Sequence, residues 1–122
     1  MTMEISTHRV YGDEAATPSD GYRVFVDRLW PRGESKVKFH YDLWAKDVAP
    51  SAELREWFHA DPESRWEQFR QRYLAELAAS PAAAALSEQL RGKPRVTLLY
   101  SSKDTLHNNA EVLAEFLRSR PE

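Results

Sequence analysis

Two short stretches of this chain hold residue types that could do chemistry at close spacing. The first is Asp27-Arg28-Leu29-Trp30-Pro31-Arg32-Gly33. Arginine presents a planar fork of donors suited to a carboxylate or a phosphate. Arg28 and Arg32 lie in a segment stiffened by Pro31, and Trp30 beside them can stack on a ring or wall a pocket. One reading is an anion clamp. The other puts Trp30 in the core and both arginines in structural pairs with Asp27, Asp42 or Asp47. The second stretch is Tyr100-Ser101-Ser102-Lys103-Asp104-Thr105-Leu106-His107-Asn108-Asn109. Here Lys103 supplies charge and His107 is a candidate general acid or base. Asp104 or Asp47 could orient that histidine, and Asn108 could donate a hydrogen bond. The alternative makes Asp104 a helix cap and His107 a surface residue.

The flanking elements decide whether these stretches can meet. Ile5 to Tyr11 reads as a first strand, and Thr17-Pro18-Ser19-Asp20-Gly21 as a turn. Tyr22 to Val26 reads as a second strand, with the apolar run Val24-Phe25-Val26 of a strand covered on both faces. The alternation of Val37, Phe39, Tyr41 and Leu43 suggests a third strand. Ser51 is a cap for a first helix that buries Leu54, Trp57 and Phe58. Asp61-Pro62-Glu63 starts a second, with Trp66, Phe69, Tyr73 and Leu77 at helical spacing. Ser80-Pro81 starts a third, and Gly92 is a C-terminal cap. Arg95 to Tyr100 is the clearest strand, and a last helix is expected from about Thr105 to Arg118.

This order predicts one α/β domain over residues 1–122: a small, mainly parallel sheet of about four strands with helices packed on it. Whether the first two strands are parallel or form a hairpin stays open. Both polar stretches leave the C-terminal ends of buried strands, where open α/β sheets collect ligands. A shared pocket is therefore expected.

Composition narrows the function classes. The 122 residues carry a net charge of −2, with 42% hydrophobic and 30% charged side chains. One domain with an ordinary core follows. There is no cysteine, which excludes disulfides, thiolate nucleophiles and cysteine-rich metal sites. His8, His40, His59 and His107 show no metal-ligand spacing, so no metal is expected, and any cofactor stays unknown. Four glycines form neither a Walker loop nor a dinucleotide fingerprint. No run approaches the roughly 18 apolar residues of a membrane span, and no signal peptide is visible, so a cytoplasmic protein is expected. Arg23 to Lys46 is only weakly basic, and nucleic-acid binding is disfavoured at this charge.

Arg23-Val24-Phe25-Val26-Asp27-Arg28-Leu29-Trp30-Pro31-Arg32-Gly33 resembles the signature of the YeaO-like bacterial proteins, a family of unknown function. Asp42 to Ser51, Leu54-Arg55-Glu56-Trp57-Phe58 and Val96 to Asn108 agree with it in collinear order. The resemblance implies a small cytosolic bacterial α/β protein and brings no activity. Arg28, Trp30, Arg32, Lys46, Asp47, Lys103, Asp104, His107 and Asn108 match the family pattern. Two features depart from it. His59 stands one position earlier than the family's histidine before Asp61-Pro62, which is expected to point it elsewhere. Ser101 and Ser102 replace a frequent pair of alanines.

Together these readings favour a small enzyme or enzyme-like binder of an anionic molecule. Arg28, Trp30, Arg32, Lys103 and Asn108 would bind, and His107, Asp104 and Asp47 would catalyse. A non-catalytic interaction module is the alternative, and nucleic-acid binding a further one. The substrate and any protein partner stay unknown.

Overall fold

A computed structural model describes residues 4–10, 21–29 and 40–119. Strands β1 (Glu4–Arg9), β2 (Tyr22–Phe25), β3 (Leu43–Trp44) and β4 (Arg95–Tyr100) form a sheet in the order β1-β4-β2-β3. All three pairings are parallel, with Ile5 opposite Val96 and Val24 opposite both Leu98 and Leu43. The first two strands are thus neither a hairpin nor neighbours, because β4 lies between them.

A strand between two others must bury both faces. This explains the unbroken apolar run of β4, in which Val96 to Tyr100 are all buried. One face carries Ile5, Val24, Val26, Val96, Leu98 and Tyr100 against four helices. These are α1 (Ala52–Ala60), α2 (Pro62–Ala78), α3 (Pro81–Leu90) and α4 (Asn109–Ser119). The other face buries Phe25 and Leu99 with Val10, Tyr41 and Trp44. Tyr73, wholly buried, satisfies its hydroxyl by donating to the Val48 carbonyl, and burial pushes its ionisation far above the usual phenol range.

Local chemistry accounts for the helix ends. Ser51 Oγ accepts from Leu54 N at 3.2 Å, and Ser80 Oγ from Ala83 N at 3.1 Å. Pro62 and Pro81 occupy first-turn positions where a missing N–H is harmless. Gly92 follows α3 with a φ of 88°, the left-handed geometry of a helix stop. Gly21 has a second reason to be glycine. Its φ is 67°, and a Cβ there would lie 2.3 Å from the Arg95 carbonyl oxygen.

Three expectations need correction. The third strand is shorter and later than the 37–43 alternation suggests: Tyr41 is half-buried outside it, and Val37 and Phe39 lie outside the described residues. The first strand ends at Arg9, although Val10 is still buried. The last helix starts at Asn109 and not at Thr105. There Asn108 Oδ1 accepts from Glu111 N at 3.0 Å, the cap expected of Asp104.

Candidate functional site

The two polar stretches leave the sheet side by side because their strands are paired. Val26 N donates to the Leu99 carbonyl at 3.0 Å, extending the β2–β4 ladder to the strand ends. Asp27 then ties the two loops together. Its carboxylate accepts from both the backbone N–H and the hydroxyl of Ser101, and from Asn109 Nδ2 at 3.1 Å. Trp44, packed on Phe25, donates its indole N–H to the Asp27 carbonyl at 2.7 Å. On the far side Arg9 Nε donates to the Ser102 carbonyl at 2.8 Å. The loop carboxylate is therefore a latch with its acceptor sites in use, and Arg28 is not its partner. Asp42 is occupied as well, by Arg23 N at 2.8 Å and His40 at 3.1 Å.

Between these loops and α1 lies a cavity of about 310 Å³. Asp27, Arg28 and Leu29 line it from the β2 loop, and Ser101, Ser102, His107, Asn108 and Asn109 from the β4 loop and the start of α4. Ala49 and Pro50 form one wall, while Phe58 and Phe69, stacked with ring centres 4.3 Å apart, form another. Arg55 and His59 of α1 complete the lining. They stand four residues apart and so share one helix face. Glu76 of α2 holds the start of that helix, accepting from Ser51 N at 3.0 Å and Ser51 Oγ at 2.7 Å.

The charge in this cavity is unbalanced. Arg55 Nε is buried and meets no acceptor among the described residues. Arg28 is exposed, and its one hydrogen bond among them is a long 3.4 Å contact to the Pro50 carbonyl. No ion pair joins either guanidinium to a carboxylate among the described residues. Burial and then the positive charge of Arg55 lower the pKa of His59 from the ordinary value, with Asp27 opposing them.

His107 stacks on Trp66, ring centres 4.7 Å apart. Its Nδ1 is 3.7 Å from Asp104 Oδ2, too long for a hydrogen bond. The other Asp104 oxygen accepts from the backbone N–H groups of His107 and Leu106, at 3.0 and 2.9 Å. Those two bonds hold the carboxyl below its usual range. Asn108 is 2% exposed, and besides capping α4 it donates to the Asp104 carbonyl at 2.9 Å.

Of the residues named from the sequence, the structure thus brings Arg28, His107 and Asn108 to one cavity. Asp47, Lys103 and Asp104 are exposed and outside its lining. Trp30 and Arg32 lie outside the described residues. Sequence reasoning missed Arg55 and His59. His59, displaced by one position from the family's histidine, lines the cavity. The available signal was the four-residue spacing of Arg55 and His59 around buried Phe58. Among the described residues there is no cluster of three or more His, Asp or Glu that could hold a metal, and no helix long and apolar enough to cross a membrane.

Residues 4–122 match DUF488-N3i, described as the inactive DUF488-N3 subclade. The chain is 46% identical over 117 residues to the uncharacterized protein YeaO of Escherichia coli (strain K12), covering 96% of this chain and 99% of that one. It is also 46% identical over 112 residues to an uncharacterized protein of Mycobacterium tuberculosis (strain ATCC 25618 / H37Rv), covering 92% of each. No solved structure matches it. The chain belongs to the DUF488-N3i family and is YeaO-like over nearly its whole length.

Proposed function

We propose that this YeaO-like chain of the DUF488-N3i family binds a small anionic molecule in the cavity at the C-terminal ends of β2 and β4. The observation that carries the reading is the buried Arg55 Nε–H, which meets no acceptor among the described residues in a cavity that Arg28 also lines. A buried donor without a partner costs about 1–3 kcal/mol. A ligand oxygen removes that cost when it arrives, and Arg28 adds a second fork for the same oxyanion. Binding rather than turnover is the better-supported role. The family description reads "inactive", and Asp104 sits too far from His107 Nδ1 to orient its ring.

The test is a thermal-shift screen with phosphate, sulfate, organic acids and sugar phosphates on the wild type, Arg28→Ala and Arg55→Met. An anion at a hundred times its Kd adds about 2.7 kcal/mol, several degrees for a domain of this size. The shift is expected in the wild type and lost in Arg55→Met. No shift with any anion defeats the reading.

A second reading keeps His107 as a proton-transfer residue oriented by Asp104 or Asp47. Its favouring observation is that His107 faces the cavity. His107→Gln separates the two readings: binding survives in the first, whereas in the second turnover of the bound molecule is lost.

A further inference from the structure

The anion's partner groups occupy only part of the cavity, and the remainder describes the body to which the anion is attached. Resting on the anion-binding reading above, we infer that the ligand is an aromatic or similarly flat apolar acid, a single ring carrying one carboxylate or phosphate, and not a free inorganic anion.

Three observations converge on that body. Beside Arg55 the cavity is lined by Ala49, Pro50 and the stacked pair Phe58 and Phe69. None of these can satisfy an oxyanion, and all gain by covering an apolar surface. Leu29 stands at the same cavity and is 61% exposed, one of two large apolar side chains left open to solvent among the described residues. A purely polar ligand leaves Leu29 as it is, whereas a ring beside it removes apolar surface from water on both partners. The volume of about 310 Å³ stands at the low end of small-molecule pockets, which run from about 300 to 1,000 Å³. It suits one ring and one acid group and is too small for a dinucleotide. A lining that holds Phe58, Phe69 and Leu29 together with Arg55 offers an aryl acid a partner for its ring and one for its acid group.

The experiment is isothermal titration calorimetry of the full chain with benzoate, phenyl phosphate, acetate and inorganic phosphate, at one pH and low salt. Benzoate is expected to bind about ten- to a hundredfold more tightly than acetate, and phenyl phosphate more tightly than inorganic phosphate by a similar factor. Leu29→Ser changes an exposed position, so the fold is retained. It should weaken the two ring-bearing acids by about threefold and leave acetate and phosphate unchanged. Arg55→Met should remove binding of all four. If inorganic phosphate and acetate bind as tightly as their aryl counterparts, the inference is overturned while the anion site stands. If none of the four binds, the anion-binding reading falls and takes the inference with it. If the aryl acids bind equally well to Arg55→Met, they sit elsewhere and the inference is again overturned.

Discussion

Arg55 and Arg70 are the same residue type on adjacent helices, yet the chain treats them in opposite ways. Arg70 of α2 closes a bidentate pair with Glu115 of α4, its Nε at 2.9 Å from one carboxylate oxygen and a terminal nitrogen on the other, and it also holds Glu67 at 2.8 Å. Those carboxylates raise its pKa, the side-chain hydrogen bond of Glu115 most of all. It lines a groove of about 560 Å³ beside Trp66 and Leu106. That groove is larger than the cavity at Arg55, but its arginine is already satisfied, and its task is to join α2 to α4. Arg55 receives no such partner among the described residues. Cavity size does not separate the two regions. What separates them is whether the protein has supplied the counter-charge itself.

The largest expected effect comes from cutting the latch that aligns the unmatched side. Asp27→Ala leaves the Ser101 amide and hydroxyl without their acceptor and Asn109 Nδ2 with only the Val26 carbonyl at 3.3 Å. It should cost about 3 kcal/mol, read as a lower urea midpoint, and abolish anion binding. A normal midpoint would show that the loops are held by something else. Next comes the exchange that sets the two arginines against each other. Arg55→Met should weaken anion binding at least about tenfold while leaving stability unchanged or raising it by about 1 kcal/mol, since it removes a buried unmatched donor. Arg70→Met should do the reverse, lowering the Tm and sparing the binding. If both variants behave alike, the contrast between the regions dissolves.

A smaller effect is set by pH. His59 has its pKa lowered in the folded chain, so the unfolded chain binds the proton more readily. Its contribution to stability is complete above its ordinary value of 6.5 and is lost as pH falls through the folded value. A bound anion counteracts Arg55 and favours the protonated ring, so affinity should rise about two- to threefold as pH falls from about 7.5 to 6. Calorimetry at the two pH values checks this, with His59→Gln expected to flatten the change. Arg55 and Asp27 act on this ring, and Arg28 and His107 line the same cavity. The smallest effect is expected at Lys103, exposed and outside the lining. Lys103→Ala should move stability by less than about 0.5 kcal/mol and leave binding in place at physiological salt. A large loss would extend the site beyond the cavity.

Much of the scaffold was readable without coordinates, for reasons that differ by element. Val24-Phe25-Val26 and Val96 to Tyr100 could be read because a strand buried on both faces has no polar alternation to confuse it. Ser51, Ser80 and Gly92 could be read because capping is local chemistry. The start of α4 was misplaced because Asp104 and Asn108 are both cap-forming residues four apart. Only coordinates show that the first turns its carboxylate to loop amides while the second caps the helix. At the site, Arg28 and His107 were visible as loop residues beyond strand ends. Arg55 and His59 were not, because a helix looks the same in sequence whether its polar face meets solvent or a cavity. The start of that helix is held by Glu76 at Ser51, a contact between residues 25 apart in the chain.

The sheet order has a consequence for how the chain is made. β4, the strand that joins β1 to β2, is the last of the four to be synthesised, and Ser6 meets Thr97, 91 positions further along the chain. A ribosome moving at about 5–20 residues per second leaves β1 waiting on the order of 5–20 s for its neighbour. During that time α1, α2 and α3 can form from local contacts, but the sheet they pack on cannot close. A nascent chain halted before Arg95 therefore carries helices, two unpaired strand edges and no aligned loops. The cavity cannot assemble before β4 and the start of α4 are made, and a stop before Arg95 yields a chain that invites aggregation through those edges.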